Sequence, residues 1–349
     1  KLLQNRMETG EPYLMFEDAV NQDLPEFQKK KGLYVNHSNL CSEITLATNE
    51  ERTAVCCLSS VNLEYYDLWS KIPAFIPDLV RMLDNVLQHF IDNAPEQMEK
   101  AKYSAMRERS IGLGAMGYHA YLQKNQIPFE SIGASAANYK MFKHIKEDAL
   151  QETRRLAVER GACPDDDSCE VRNAHLLAIA PNASSSIICG NTSPSIEPFR
   201  ANAYTQKTKS GSHLQKNKYL EALLETKDAN TEAVWRDIVS NKGSVQHLEI
   251  LSEDEKDIFK TAVEINQSWV VEHAAQRQEF VCQSQSVNLF FPPDVTKGDL
   301  HNVHMLAWAK NLKTLYYLRS EAISRADNVS NQVKREVIFE QEDCLACEG

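Results

Sequence analysis

The sequence predicts an α/β fold in which parallel strands form a sheet or a barrel. Short apolar segments with strand character alternate with longer amphipathic helices along the 349 residues, and this alternation is typical of β-α-β units. The candidate strands are residues 54–58, 110–113, 175–180, 284–290 and 314–318. No internal repeat or low-complexity block is visible in the chain.

Three helices are indicated by the spacing of apolar residues and by their end signals. An apolar face with three- and four-residue steps predicts the first helix, and it consists of Leu79, Leu83, Val86, Leu87, Phe90 and Ile91. A second helix is predicted over residues 134–159 and ends at Gly161, a typical C-terminal signal. Ser252 and Glu255 form a capping box that opens a third, predicted to carry Ile258, Ala262, Ile265 and Trp269.

The end of the chain differs from the rest. From Asp327 onward the apolar periodicity gives way to Asn, Ser, Lys, Arg and Glu, and the segment ends in Cys344-Leu-Ala-Cys347. We therefore divide the chain into a folded domain over residues 1–326 and a flexible tail over residues 327–349.

Composition excludes several classes of protein. The net charge of −11 leaves no basic excess to neutralise phosphates, which argues against a nucleic-acid partner. No apolar run approaches the ~18 residues of a spanning helix, which argues against a membrane protein, and no signal peptide opens the sequence. The nine cysteines do not form a disulfide scaffold in a chain of this length, so we expect reduced thiols and a cytoplasmic protein.

Asn39, Cys41 and Glu43 form the densest group of reactive side chains. They occupy alternate positions, so in an extended segment all three would point the same way. A thiol beside a general base and a hydrogen-bond donor can be a reactive centre. A polar loop with a buried cysteine explains the residues equally well.

Two more segments have both a functional and a structural interpretation. Cys56 and Cys57 are adjacent on a candidate strand and therefore point to opposite faces, and packing explains them best from the residues alone. Residues 181–186 follow an apolar run with Asn and Ser at a possible helix start. Such a segment can bind phosphate through N–H and O–H donors, or it can be a capped turn.

The remaining motifs are weaker or more ambiguous. Gly112, Gly114 and Gly117 match a dinucleotide-binding pattern, but no buried strand precedes them, so we interpret them as a closely packed strand-to-helix turn. Tyr316 and Tyr317 are adjacent in a candidate strand and could fill the core or relay an electron and a proton. The terminal Cys-x-x-Cys lacks nearby further ligands for zinc and suits thiol–disulfide exchange.

Together these motifs resemble the large (alpha) subunit of class I, aerobic ribonucleoside-diphosphate reductase. They occur in the family's order along nearly the whole chain. The matching motifs are Asn39-Leu-Cys41-x-Glu43, Cys56 within Ala-x-Cys-x-Leu-Ser, residues 181–186, Gly190-Asn-x-x-x-Ser195-Ile-Glu197-Pro, Gln283-Ser-Gln-Ser286, Leu315-Tyr316-Tyr317 and the terminal cysteine pair.

The resemblance implies a role for each motif. Cys41 would be the thiyl-radical cysteine that abstracts the ribose 3′-hydrogen, Glu43 the base for the 3′-hydroxyl, and Asn39 a substrate-orienting donor. Cys56 would be one of two reducing thiols, whereas Cys57 is assigned to packing. The remaining roles are phosphate binding by Asn182, Ala183, Ser184 and Ser185, radical transfer by Tyr316 and Tyr317, and re-reduction of the active-site disulfide by Cys344 and Cys347.

The resemblance also implies partners and an architecture. The substrate would be a ribonucleoside diphosphate, the radical would come from the metal cofactor of a small (beta) subunit, and thioredoxin or glutaredoxin would restore the tail cysteines. No cofactor or metal would bind directly to this chain, and allosteric nucleotides would bind the N-terminal part that the sequence lacks. The family fold is a ten-stranded α/β barrel, of which this chain would form the second half with the radical-cysteine loop.

Several alternatives remain open at this stage. We expect a separate polypeptide to supply the first half of the barrel and the second reducing cysteine, through a split gene, an intein-processed precursor or a truncation. A catalytically incomplete assembly module is the main alternative function. Others are a nicotinamide-dependent dehydrogenase, a non-enzymatic thiol protein, and a cobalamin-dependent or glycyl-radical relative.

Overall fold

The computed structural model describes residues 1–208 and 211–320. The α-helices are α1 Leu2–Thr9, α2 Glu17–Gln22, α3 Glu26–Lys30, α4 Tyr66–Trp69, α5 Phe75–Asn93, α6 Glu99–Glu108, α7 Tyr118–Lys124, α8 Ile132–Arg160, α9 Ser185–Ile188, α10 Lys218–Thr226, α11 Glu232–Ser240, α12 Glu253–Ile258, α13 Gln267–Gln278 and α14 Lys297–Ala309. Short 3₁₀ turns cover Leu63–Tyr65 and Glu96–Met98. The strands are β1 Leu14–Met15, β2 Leu58–Asn62, β3 Gly112–Met116, β4 Ala203–Thr208, β5 Gly211–Lys216, β6 Leu289–Phe291, β7 Thr314–Leu315 and β8 Leu318–Ser320.

Five extended segments lie side by side in chain order, and each runs parallel to the next. β2 pairs with β3, and β3 continues to residues 176–179 through a parallel bridge between Leu113 and Leu177. That segment reaches the next through a parallel bridge between Ile179 and Gln285, and β6 then pairs with β8. Helices connect the segments, as parallel neighbours require. The predicted α/β class with parallel strands is confirmed.

Two antiparallel pairs lie outside this parallel series. β1 pairs with β7, where Leu14 faces Leu315, and this contact brings the start of the described chain to its end. β4 and β5 form a hairpin with Ala203 opposite Lys216.

The main core lies between the parallel segments and the long helices α5 and α8. Leu83 and Leu87 of α5 and Phe142 and Ile145 of α8 belong to the same buried apolar cluster as Leu113 of β3. A smaller cluster around the buried Trp235 joins α10, α11 and α12. Burial of these faces stabilises the arrangement because each buried Leu or Phe side chain contributes about 1.5–3 kcal/mol.

The predicted helices agree with the structure in two cases and differ in one. The predicted apolar face of the first lies on α5, and the predicted second helix is α8, which ends at Gly161. The capping box at Ser252 and Glu255 is present, but its helix ends at Ile258 and Trp269 lies on the separate helix α13, so the single long helix was wrong. Tertiary hydrogen bonds replace helical ones here, since Asn202 Nδ2 donates to Phe259 O over 2.7 Å and Ala262 N donates to Phe199 O over 2.8 Å.

The three motif glycines lie in β3 and at the start of α7. A Cβ on Gly114 would lie 2.5 Å from Ala178 O, so this strand approaches its neighbour more closely than a side chain allows. Gly117 has a φ of +79° and precedes α7, a left-handed conformation that favours glycine. These contacts agree with the interpretation as a closely packed strand-to-helix turn.

No helix in the described part of the chain is both long enough and apolar enough to cross a bilayer.

Candidate active site

Cys41 lies in a turn at the centre of the fold. Ser42 N donates to Asn39 O over 3.2 Å, and Ser42 has a φ of +70°, so residues 39–43 are not the extended segment that sequence alternation suggested. The turn nevertheless keeps the three side chains in one region. Cys41 and Glu43 are buried, and Asn39 Oδ1 accepts a hydrogen bond from Ile44 N over 3.1 Å.

The fourth parallel segment holds this turn in place. Ser284 N donates to Glu43 O over 2.9 Å, and Ser286 Oγ donates to Cys41 O over 2.5 Å. Ser286 Oγ also lies 3.3 Å from Glu43 Oε2. The Gln283-Ser-Gln-Ser286 motif therefore supports the cysteine turn through hydrogen bonds.

Glu43 has an acid–base environment unlike that of a surface carboxylate. Its side chain is 1% exposed. Burial raises its pKa, and hydrogen bonds from its own backbone, Asn39 and Ser286 offset only part of that effect. A carboxyl group with a raised pKa is suited to exchanging protons with a bound substrate.

Tyr316 connects the cysteine turn to the end of the described chain. The Tyr316 hydroxyl lies 3.8 Å from Cys41 Sγ, and burial raises the pKa of this tyrosine. The Tyr317 ring follows, with its centroid 4.4 Å from that of Tyr316. The two tyrosines lie between β7 and β8, so a thiol and two phenols form one contiguous series.

Cys56 and Cys57 differ in exposure, as expected for neighbours that point to opposite faces, although both precede β2 and do not lie in it. Cys57 is buried in the main core and its Sγ lies 3.5 Å from Leu83 O. Burial raises the pKa of Cys57 to about 11, which agrees with a packing role. Cys56 is exposed, and the neighbouring Ala54 and Leu58 pack with Ile44 and Leu46 beyond the cysteine turn.

Residues 181–184 lead through a turn into the short helix α9, which contains Ser185 and Ser186, at the carboxyl end of the third parallel segment. Asn182 is buried with a φ of +51°, and its side chain lies 3.2 Å from Ser60 Oγ. Ala183 and Ser184 are exposed and Ser185 is half-buried. Parallel α/β folds commonly bind ligands at this end of the strands. The turn thus presents small, accessible residues, while Asn182 is held by its neighbours.

The proposed redox tail, with Cys344 and Cys347, lies outside the described residues, as does the predicted boundary at residue 326. Among the residues that the structure describes, no group of three or more His, Cys, Asp or Glu side chains could hold a metal ion.

The comparison with known protein families decides the assignment of the chain. The family described as "Ribonucleotide reductase, barrel domain" matches residues 1–170 and 167–318. The chain belongs to the ribonucleotide reductase family.

Relatives and a solved structure agree with this assignment. The ribonucleoside-diphosphate reductase large subunit of Invertebrate iridescent virus 3 is 48% identical over 352 residues, a match that covers 100% of this chain and 56% of the relative. A putative large subunit of Frog virus 3 is 49% identical, with 100% and 62% covered. The class Id ribonucleotide reductase alpha subunit of Actinobacillus ureae is similar in structure, with a TM-score of 0.87, 41% identity, and 91% and 60% of the two chains covered.

The reductase chain thus spans little more than half the length of these two large subunits.

Sequence reasoning missed one aromatic residue of the candidate site. The Tyr13 ring lies 4.6 Å from the Tyr316 ring and 4.9 Å from the Tyr317 ring, measured between centroids. The pairing of β1 with β7 brings it there. Strands of two residues leave no periodic signal, so the sequence could not have revealed this contact.

Arg6 and Arg319 complete the surroundings of the tyrosines. Arg6 is buried, donates to Tyr316 O over 3.0 Å, and also donates to Pro12 O, so it links the segments that carry Tyr13 and Tyr316. The Arg319 guanidinium lies 3.9 Å from the Tyr317 ring centroid. Both contacts hold the ring cluster in a fixed geometry.

Glu197 was noted only as part of a motif, and its contacts extend the site. It is buried, and burial raises its pKa. Asn288 Nδ2 donates to Glu197 Oε2 over 2.6 Å, and Asn288 Oδ1 accepts from Tyr317 N over 3.2 Å. A single amide therefore bridges the carboxyl group and the tyrosine backbone.

Proposed function

We propose that this chain carries the catalytic residues of a ribonucleoside-diphosphate reductase, which converts ribonucleoside diphosphates to 2′-deoxyribonucleoside diphosphates by a thiyl-radical mechanism. The observation that supports the proposal best is the Tyr316 hydroxyl lying 3.8 Å from Cys41 Sγ. A phenol next to a thiol can exchange one hydrogen atom with it. The buried Glu43 of the same turn would provide the proton acceptor that the reaction needs.

The radical would enter through the tyrosines. A Tyr317 radical takes a hydrogen atom from Tyr316, and the Tyr316 radical then takes the hydrogen atom from Cys41 Sγ. This leaves a Cys41 thiyl radical and an intact Tyr316 hydroxyl. The close ring centroids, 4.4 Å apart, support the first of these transfers.

The thiyl radical then acts on the ribose. Cys41 abstracts the 3′-hydrogen atom while Glu43 accepts the 3′-hydroxyl proton and Asn39 orients the sugar. The 2′-hydroxyl leaves as water after protonation by a thiol. Two thiols, Cys56 and a second cysteine, supply the two electrons and become a disulfide, and Cys41 returns its hydrogen atom to C3′. The balance is one ribonucleotide and two thiols giving one deoxyribonucleotide, one disulfide and one water.

Substrate phosphates would bind at the turn that contains Ala183, Ser184 and Ser185. The exposed Ala183 and Ser184 support this role because their backbone N–H groups lie at an accessible turn. Asn182 would shape the turn from inside, since its side chain already contacts Ser60.

The active unit would combine this chain with the part of the large subunit that its relatives have and this sequence does not cover. That part would lie on the same or on a separate polypeptide. That part would supply the second reducing cysteine and the nucleotide effector sites. A small subunit with a metal cofactor would generate the radical. Cys344 and Cys347 would transfer electrons from thioredoxin or glutaredoxin to the active-site disulfide.

The decisive experiment measures reduction of CDP to dCDP. The chain is mixed with a class I small subunit and dithiothreitol, with and without a polypeptide supplying the remaining large-subunit length. We expect activity in the full mixture, loss in Cys41→Ser and Cys56→Ser, and near-normal activity in Cys169→Ser, where the cysteine is exposed. Lack of activity in every mixture would instead favour an assembly module.

A further inference from the structure

Cys282 takes no part in the proposed reaction, yet its sulfur lies in an environment built for negative charge. The amide N–H groups of Leu176 and Leu177 both donate to Cys282 Sγ, over 3.1 and 3.3 Å. Two converging N–H donors favour a thiolate over a thiol, as they do for other anions. The sulfur also lies 3.7 Å from Leu177 O, which could accept a hydrogen bond from a protonated thiol.

Lys146, His175 and Lys313 lie around Cys282. Lys146 projects from α8, and both Lys146 and His175 favour the thiolate. Lys313 is 2% exposed and its Nζ donates to Cys282 O over 2.6 Å. The carboxylate of Asp23 pairs with Lys313 at 2.5 Å.

His175 is a buried neighbour of Cys282. The side chain is 1% exposed, and Nε2 lies 3.0 Å from Gln28 Oε1. Gln28 in turn donates to Glu108, so Gln28 lies between His175 and this acidic side chain. The other nitrogen, Nδ1, has no oxygen or nitrogen partner among the described residues and faces the region of the sulfur.

We propose that Cys282 is a reactive thiolate and a site of reversible modification by low-molecular-weight disulfides such as oxidised glutathione. The Cys282 sulfur attacks one sulfur of the disulfide, a new S–S bond forms, the original S–S bond breaks, and the other half leaves as a thiolate. Excess dithiothreitol reverses the exchange. Cys282 is partly exposed, and the labelling experiment below measures the access of a small reagent to its sulfur.

The acid–base properties of the cysteines agree with this geometry. Burial alone would raise the pKa of Cys282, but Lys146, His175 and the Leu176 N–H lower it to about 5. Burial instead raises the pKa of Cys57 and that of Cys163 to about 11. The chain therefore contains internal controls for a thiolate-specific reaction.

An adduct at Cys282 would reach the proposed active site through two backbone segments. It would remove the sulfur from the Leu176 and Leu177 amides, in the segment that ends at the proposed phosphate turn. Gln283, the next residue, pairs with Leu177 O and begins the motif that supports the cysteine turn. Modification should therefore lower reductase activity reversibly. This consequence rests on the proposed function, whereas the reactivity of Cys282 does not.

Alkylation by iodoacetamide, followed by peptide mass mapping of the full chain, tests the proposal. We expect the labelling rate of Cys282 to change less than about 2-fold between pH 6 and 8, whereas a small-molecule thiol such as N-acetylcysteine gains roughly 100-fold. If the labelling rate of Cys282 rises with pH as steeply as that of N-acetylcysteine, the proposal is wrong. It is also wrong if Cys169 is labelled and Cys282 is not.

Two variants and a reaction with oxidised glutathione complete the test. Lys146→Gln should lower the Cys282 labelling rate at pH 5 by about 3-fold, whereas Lys143→Gln on the same helix should leave it unchanged; equal rates would contradict the charge argument. Oxidised glutathione should add one glutathione at Cys282, removable by dithiothreitol. Labelling depends on no reductase activity, so failure here is distinguishable from failure of the proposed function.

Discussion

The hydroxyl of Tyr316 lies 3.8 Å from the sulfur of Cys41, although 275 positions separate the two residues in the chain. Neither residue is free to move far from the other. Tyr316 is held through its carbonyl by Arg6, and Cys41 is held through its carbonyl by Ser286. The backbone arrangement therefore sets the position of the Tyr316 ring relative to Cys41.

Removal of the phenolic hydrogen tests this contact. Tyr316→Phe keeps the ring and deletes the group that would exchange a hydrogen atom with Cys41, so we expect dCDP formation in the complete reductase mixture to fall by at least about 100-fold. The thermal midpoint should change little. Tyr139→Phe, in an exposed ring pair with Phe280, is the matched control and should keep full activity. A Tyr316→Phe enzyme with normal activity would refute the proposed radical route.

The raised pKa of Glu43 predicts the acid limb of the activity profile. Because burial raises this pKa, the carboxyl group takes up its proton at a higher pH than a surface glutamate, whose pKa is about 4.3. Activity should therefore begin to fall, as the pH is lowered, above the range of an ordinary carboxyl. Glu43→Gln should remove most activity at every pH, while Glu51→Gln at an exposed position should not change the profile. Activity that stays constant until the pH reaches the range of an ordinary carboxyl group would contradict the role of Glu43 as the base.

Close packing of β3 predicts a stability loss. Gly114→Ala would place a Cβ 2.5 Å from Ala178 O, so the strands must separate, and we expect the free energy of unfolding in urea to fall by about 2 kcal/mol. Gly298→Ala in α14 is the control, since its Cβ meets only Thr296 Oγ1 at 3.6 Å. Equal stability of the two variants would mean that β3 does not lie this close to its neighbour.

Buried His119 predicts acid sensitivity of the fold. Burial lowers the pKa of His119 in the folded protein to about 3, whereas the unfolded chain has a value near 6.5. The unfolded state therefore binds a proton first, so this contribution is complete above about pH 6.5 and is lost as pH falls toward 3.

Denaturant titrations at several pH values measure this effect. His119→Asn retains an acceptor for Phe199 N, the current partner of His119 Nδ1 at 2.9 Å. It should flatten the fall in stability between pH 6.5 and 4, while His89→Gln at an exposed position should leave the slope as it is. An unchanged slope in His119→Asn would assign the acid sensitivity to other groups.

Much of the fold was predictable because its elements have strong local signals. The long amphipathic faces of α5 and α8 are periodic, and the parallel segments are short apolar runs. Boundaries were less accurate: β2 covers Leu58–Asn62 instead of the predicted residues 54–58, and it includes the polar residues Ser60 and Asn62. A strand that continues in polar side chains does not look apolar.

The proposed site was predictable only in part, for the same physical reason. Asn39, Cys41 and Glu43 share one turn, so their spacing indicated the group, although a polar loop with a buried cysteine explained the residues equally well. Tyr13 reaches Tyr316 through a tertiary contact that depends on β1, β7 and the two bonds of Arg6. Likewise, the environment of Cys282 is formed by Lys146, His175 and Lys313, which are far apart in sequence.

The pairing of β1 with β7 also sets the order in which the molecule can assemble. During synthesis Tyr13 and Cys41 leave the ribosome long before Tyr316, and contacts of such large sequence separation carry a high loop-closure cost and form slowly. We therefore expect the docking of Leu14 against Leu315 to be among the last events of folding. Until then a nascent or partly folded chain would contain the Cys41 thiol without the neighbouring phenol that the proposed radical transfer requires.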